Sequence, residues 1–96
     1  MTLAPNSNTA SRTLLITNKR GLHARAANKF VQCAGRFEAD IQVSKDGQTV
    51  PGRSIMGLMM LAAATGCAID VTAAGTDAEA ALEALTELVE AKFHED

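Results

Sequence analysis

The chain has 96 residues, of which 47% are apolar and only 3% aromatic, and its formal net charge is −2. This length favours one domain whose small core is built from aliphatic and alanine side chains. No apolar run is long enough to span a membrane, and the N-terminus lacks the basic start and apolar core of a secretory signal, so we expect a cytoplasmic protein.

The charges are unevenly distributed along the chain. Residues 12–53 carry eight of the nine basic side chains and three acids, whereas residues 54–96 carry one base and eight acids. A basic first half suits an anionic group or an acidic partner protein. Nucleic acid ranks low, because the chain has no dense Lys/Arg cluster, no interleaved aromatic residues and a pI near 5.6.

The two cysteines, Cys33 and Cys67, have neither CxxC nor CxxH spacing, so the sequence indicates no metal site. Both lie within apolar patterns, which favours free, buried thiols over a disulfide in a cytoplasmic protein. The residues imply no organic cofactor either.

The first elements lead to an unusual histidine. Residues 1–11 are rich in Ser, Asn and Thr, and we expect a disordered leader before a single domain over residues 12–96. The β-branched and apolar residues within 12–18 predict the first strand. Gly21 then predicts a turn into a helix over residues 24–34, which ends at Gly35.

His23 stands directly before this helix, and Arg25 follows two residues later. The first N–H groups of a helix and the positive end of its dipole attract anions, and an arginine adds donors that suit phosphate oxygens. A neutral imidazole is also a nucleophile near pH 7. The arrangement therefore suits phosphoryl transfer on His23, whereas the spacing alone also fits a simple helix cap or a solvated side chain.

A β-hairpin is predicted next. Residues 37–45 alternate between apolar and polar side chains, Asp46 and Gly47 are typical of a tight turn, and residues 48–50 form the returning strand. Pro51 and Gly52 end the hairpin.

Residues 54–61 predict a short helix with Ser54 as its N-cap. Apart from Ser54 and Gly57 this segment is apolar on all sides, which a small domain cannot bury completely. Part of its methionine-rich surface is therefore expected to face outward as an adaptable docking surface, although each methionine could instead fill the core.

The last predicted elements are a strand and a long helix. Thr65 and Gly66 form a turn, residues 67–73 alternate as a fourth strand, and residues 76–79 read as a capping box. The apolar face of the helix comprises Ala78, Ala81, Leu82, Leu85, Leu88, Val89 and Phe93. His94 is expected in a frayed, exposed tail.

The predicted order β-α-β-β-α-β-α gives an α+β fold: an open-faced sandwich with a four-stranded, mostly antiparallel sheet covered on one face by helices. The pattern alone also fits a ferredoxin-like ligand-sensing domain, because fold does not determine function.

The segment Gly-Leu-His-Ala-Arg-Ala-Ala around His23 resembles the active-site segment of HPr, the histidine-containing phosphocarrier of the bacterial phosphoenolpyruvate-dependent phosphotransferase system. The resemblance extends over residues 12–93, through Phe30, Gly47, residues 54–56 and residues 65–66. Two departures are Ala26, where most members have proline, and Lys19-Arg20, where many have Pro-Asn. We expect the helix start to survive, since alanine is a good helix former.

The resemblance implies that His23 accepts a phosphoryl group, through Nδ1, from phosphorylated enzyme I and passes it to a IIA protein. Arg25 would then stabilise the phosphoryl oxygens, and Ile55, Met56 and Met59 would dock partners. Ser54 matches the serine modified by HPr kinase/phosphorylase in some bacteria. The resemblance implies a phosphocarrier rather than a free-standing enzyme, acting as a monomer in sugar uptake and its regulation, with no cofactor, nucleic acid or membrane insertion.

Three alternatives remain open at this point. The nitrogen-regulatory paralogue NPr shares the histidine segment. A protein-binding regulator whose phosphorylation merely selects its partner would need no carrier flux. A small-molecule sensor would need a concave apolar pocket, for which the sequence shows no signature.

Overall fold

The computed structural model describes residues 9–95. The elements follow the predicted order: β1 (Thr9–Leu15), α1 (Ala24–Ala34), β2 (Asp40–Lys45), β3 (Gln48–Pro51), α2 (Ile55–Met60), β4 (Ala68–Ala74), α3 (Ala78–Glu90) and a 3-10 turn (Lys92–His94). The bounds of α1 and the stop at Gly35 confirm the prediction for the helix that follows His23.

The four strands form one antiparallel sheet in the order β1-β4-β2-β3. Side chains that point to one face, such as those of Ile41, Val43, Ile69 and Val71, are buried, whereas Asp70 between two of them is exposed. This period-two pattern is typical of a sheet covered on one side. The helices pack on that side, so the predicted open-faced α+β sandwich is confirmed.

The core is aliphatic, with two phenylalanines as its largest fully buried side chains, Phe30 on α1 and Phe93 after α3. Burial of each such side chain stabilises the fold by about 1.5–3 kcal/mol. Cys33 is buried and Cys67 half-buried, and both are free thiols, as predicted. Among residues 9–95 no helix is long and apolar enough to cross a membrane.

The hairpin between β2 and β3 is confirmed. Lys45 pairs with Gln48, which leaves Asp46 and Gly47 as a two-residue loop. Both have positive φ, 52° and 83°, as a type I′ turn requires.

The ends of β1 differ from the prediction. The strand begins at Thr9, so residues 9–11 of the predicted leader pair with β4, while residues 1–8 lie outside the described part. It ends at Leu15 rather than at residue 18. Ile16 still bonds to the turn before β4, its N–H to the Cys67 carbonyl and its carbonyl to the Gly66 N–H (both 2.8 Å).

β2 begins three residues later than predicted, and the predicted capping box is wrong. Asp77 is the N-cap of α3, and its side chain makes no cap hydrogen bond. Its Oδ2 accepts instead from the Glu38 N–H (2.8 Å), and its own N–H donates to the Glu38 carbonyl (3.1 Å). This long-range pair ties the segment before β2 to the start of α3.

The segment after α3 is not a frayed tail. Lys92, Phe93 and His94 have φ values of 56°, 55° and 59°, so the chain turns sharply after Glu90. Phe93, predicted on the helix face, is buried from this turn instead. His94 is exposed, as predicted, and Glu95 is directed back toward α1.

Candidate functional site

The loop between β1 and α1 is held by backbone contacts that place His23. Gly21 has φ +65°, and a Cβ there would lie 2.4 Å from the Ala63 carbonyl oxygen. The Leu22 N–H donates to that same oxygen (2.8 Å), and the Leu22 side chain is buried. Only glycine combines this φ with so close an approach, so the segment after α2 fixes the loop that carries His23.

His23 is the N-cap of α1. Its backbone is extended, and its carbonyl accepts the first helical bond, from the Ala27 N–H (2.8 Å). Its ring Nδ1 accepts from the Arg25 N–H (3.2 Å). A side chain that caps in this way faces the N–H groups of the first turn, where helices attract anions.

The other ring nitrogen contacts the C-terminal segment. His23 Nε2 lies 2.8 Å from Glu95 Oε2 and 3.0 Å from Oε1. An ionised carboxylate can only accept, so Nε2 carries the ring proton. Nδ1, which accepts from Arg25, then has the lone pair. Both contacts favour the same tautomer.

A buried asparagine holds Glu95 in place. Asn18 is fully buried, and its Nδ2 donates to the Gly21 carbonyl (2.8 Å) and to Glu95 Oε1 (3.3 Å). The Thr65 hydroxyl donates to the Asn18 carbonyl, and Lys29 Nζ donates to the Phe93 carbonyl (2.6 Å). The turn after α3 is therefore bound to α1 and to the histidine loop.

His23 and Glu95 line a pocket of about 390 Å³ together with Lys19, Arg20, Arg25, Lys29 and His94. The lining carries four cationic side chains and one carboxylate, so the pocket suits an anion. The hydrogen bond from His23 holds the pKa of the Glu95 carboxyl below its usual value. Asn18 and Lys29 act in the same direction, and burial opposes them.

Of the predicted phosphate-handling residues, His23 and Arg25 meet at this pocket. Arg25 is exposed and lies in the first turn of α1. Ala26, the site of the departure from the usual proline, is fully buried, and α1 begins at Ala24 as expected. The helix start therefore survives alanine at this position.

The other predicted site residues lie on α2. Ser54 is confirmed as its N-cap, because Oγ accepts from the Gly57 N–H (2.9 Å). Ile55, Met56 and Met59 are exposed at 36%, 70% and 40% of their surfaces. These three residues, the α2 patch, do not fill the core.

Three residues were missed by sequence reasoning. Met60 is 69% exposed and extends the apolar surface of α2. Glu95 reaches His23 only through the fold, and Asn18 acts on His23 through Glu95, 77 residues away in the sequence. The one sequence signal that residues 92–95 are packed was Phe93. An apolar residue at this position predicts packing against the core rather than a frayed end.

The sheet order, the capping histidine and the basic pocket fit a small phosphocarrier protein. Residues 10–91 match the family model described as "PTS HPr component phosphorylation site". The chain belongs to this HPr family of phosphocarrier proteins.

Relatives and solved structures agree with this assignment. The HPr phosphocarrier of Neisseria meningitidis serogroup A is 49% identical over 88% of this chain and 94% of its own length. The NPr phosphocarrier of Shewanella violacea is 43% identical over 88% and 92%. The HPr-C-His structure from Thermoanaerobacter tengcongensis has a TM-score of 0.87 at 45% identity, covering 91% of this chain and 98% of that one.

Proposed function

We propose that this chain carries a phosphoryl group on Nδ1 of His23, received from phosphorylated enzyme I and passed to a IIA protein. The observation that supports this most strongly is the ring itself. Nδ1 accepts from the N–H of Arg25, at the N-terminus of an eleven-residue helix, while Nε2 is directed to a carboxylate. The nucleophilic lone pair thus lies where the helix attracts phosphoryl oxygens.

The reaction needs no general base. The Arg25 N–H releases Nδ1, whose lone pair then forms the new N–P bond, and the N–P bond of the phosphohistidine on enzyme I breaks, with its electron pair returning to that imidazole. His23 keeps its proton on Nε2 throughout. Phosphoryl transfer therefore depends on positioning and charge stabilisation, which the helix N-terminus and Arg25 supply.

The pocket also explains how the phosphoryl group can be passed on to a partner protein. The cationic side chains of the pocket are mostly exposed, so a partner's histidine can approach the phosphoryl group in line. We propose that the protein acts as a monomer, because His23 and Arg25 lie together at the start of a single helix, α1. We also propose that the protein acts in the cytoplasm.

The α2 patch is proposed as the docking surface for enzyme I and the IIA protein. Three adjacent apolar side chains on a six-residue helix remain exposed, although α2 packs against α1. Flexible methionines suit a surface that binds more than one partner. The basic surface around His23 would steer acidic partners toward it.

Ser54 is proposed as a regulatory phosphorylation site. A phosphate on its Oγ would lie at the N-terminus of α2 and place about two negative charges beside the patch. The helix would tolerate the phosphate, whereas apolar docking next to Ile55 would weaken. The effect of the modification would then fall on partner binding and not on folding.

The experiment that tests this proposal is intact mass spectrometry after incubation with phosphoenolpyruvate and enzyme I. We expect a gain of one phosphate that brief acid treatment removes, and no gain in His23→Ala. His94→Ala is the matched control, because His94 is an exposed histidine that lines the same pocket. Phosphorylation that persists in His23→Ala and is lost in His94→Ala would contradict the proposal.

The nitrogen-regulatory branch is the second candidate, because the NPr relative matches nearly the same part of the chain. The two branches differ in the IIA protein that accepts the phosphate. Transfer from the phosphorylated chain to a sugar-type or a nitrogen-type IIA protein, measured side by side, separates them. A regulator without carrier flux would transfer to neither.

A further inference from the structure

The hydrogen bond between Glu95 and His23 lies on the side of the ring away from the reacting nitrogen. Glu95 follows a fully buried Phe93, and the preceding turn is tied to Lys29. Asn18 bonds to the same carboxylate from the buried side. The Glu95 carboxylate is therefore held by two side chains, His23 and Asn18, and by the tethered turn that precedes it.

The chemistry at Nδ1 creates a need for such a carboxylate. A neutral ring that attacks phosphorus through Nδ1 and keeps its proton on Nε2 acquires a positive charge. That charge is shared with the Nε2–H, which donates to Glu95 over 2.8 Å. Hydrogen bonds from a cation to a carboxylate are about twice as strong as neutral ones, so this bond strengthens as the N–P bond forms.

We propose that Glu95 is a positioning residue for phosphoryl transfer: held by Asn18, it fixes the His23 tautomer and stabilises the positive charge that the ring acquires on phosphorylation. This inference rests on the proposed function. The inference adds Glu95, from the C-terminal segment, to the site at the N-terminus of α1.

The charged groups around His23 and Glu95 have two opposing effects on the phosphorylated ring. Arg25 and Lys29 on α1 face the same pocket, with Lys19 and Arg20 from the preceding loop and His94 from the turn after α3. The four Lys and Arg charges oppose a cationic ring. The hydrogen bond from His23 keeps the pKa of the Glu95 carboxyl low, and the charge of Lys29 adds to this effect. Glu95 is the acid in this lining that offsets them, so its removal is expected to affect the phosphorylated ring more than the neutral one.

The test compares Glu95→Gln with the wild-type chain. Glutamine keeps the size and one acceptor oxygen but removes the charge. We expect kcat/KM for phosphorylation by enzyme I to fall about tenfold at pH 7, equivalent to about one pKa unit of differential stabilisation. Glu95→Asp should restore part of the loss. Glu90→Gln, which removes an exposed acid from the end of α3, should match wild type.

Rescue by the shorter acid separates this role from a structural one. Glu95→Asp restores the negative charge and should recover part of the lost kcat/KM, whereas a packing defect would leave Glu95→Asp no faster than Glu95→Gln. An unchanged kcat/KM in Glu95→Gln would overturn the proposal. Faster phosphorylation would also overturn it, because Glu95 would then be a competitor for the phosphoryl site.

A second measurement does not depend on phosphoryl transfer. In ¹H–¹⁵N spectra of the unphosphorylated wild type, the Nε2 proton of His23 should appear at low field through its bond to Glu95, and should shift upfield in Glu95→Gln. An identical signal in both proteins would refute the contact. If the signal shifts but no phosphorylation occurs with competent enzyme I in any variant, the proposed function fails rather than the contact.

Discussion

The substitution Gly21→Ala tests whether the histidine loop is held as described. Alanine at φ +65° costs about 1–2 kcal/mol. Its Cβ would lie 2.4 Å from the Ala63 carbonyl oxygen and 2.8 Å from the Ala64 Cα. Both contacts are backbone atoms that cannot rotate away, and such overpacking typically costs a further 1–3 kcal/mol, roughly. Reduced entropy of the unfolded chain offsets about 0.4–1 kcal/mol.

We therefore expect Gly21→Ala to lower the free energy of unfolding by about 2–4 kcal/mol, measured by urea denaturation. Gly47→Ala is the matched control, since Gly47 also has positive φ (83°) but a Cβ there would meet nothing within 4 Å. Its loss should be about 1 kcal/mol or less. Phosphorylation of folded Gly21→Ala should also slow, because the clash displaces the residue two positions before His23. Equal destabilisation by the two substitutions would refute the close-approach argument.

Three further predictions concern α2 and the C-terminal segment. Ser54→Ala should destabilise the protein by about 1 kcal/mol in urea denaturation, because α2 loses its N-cap bond. Met56→Gln with Met59→Gln should slow transfer to the IIA protein while changing the unfolding free energy by less than about 0.5 kcal/mol; Leu15→Gln, on another exposed apolar side chain, should not slow it. The depressed pKa of Glu95 means that its contribution to stability is present above the ordinary glutamate pKa of 4.5 and is lost as pH falls through the folded-state pKa. The difference in unfolding free energy between wild type and Glu95→Gln should therefore shrink toward acid; a difference constant with pH would contradict this sign.

Local sequence signals predicted the elements that depend on local physics. The bounds of α1, the Asp46-Gly47 turn and the Ser54 cap follow from capping, turn geometry and helical periodicity, which act within a few residues. The exposure of part of α2 followed from a volume argument, because a small domain cannot bury an apolar helix on every side, whereas the choice of the three patch residues came from the family resemblance.

The elements that depend on distant partners were not predicted in detail. The capping box before α3 failed because α3 begins at Ala78, which makes Asp77 rather than Thr76 the N-cap, and the Asp77 carboxylate bonds to Glu38, 39 residues away. β1 begins earlier than its apolar pattern suggests, since pairing with β4 orders the polar residues from Thr9 onward. A local pattern contains no information about such pairings.

In the candidate site, too, some residues were predicted from the sequence, whereas those that depend on distant contacts were missed. The resemblance led to His23 and Arg25, and the pocket brings both together. Asn18 and Glu95 have no local pattern that marks them, because their roles arise from the left-handed turn around Phe93. That turn directs an acid from the end of the chain to a histidine at the start of its first helix.

The central claim is that Nδ1 of His23 carries the phosphoryl group while Nε2 keeps its proton. The most direct test is long-range ¹H–¹⁵N and ³¹P NMR of the uniformly ¹⁵N-labelled chain after phosphorylation by enzyme I. We predict phosphorus coupling to Nδ1 of His23 and a proton retained on Nε2. Phosphorus coupled to Nε2, or attached to any other residue, would contradict the account.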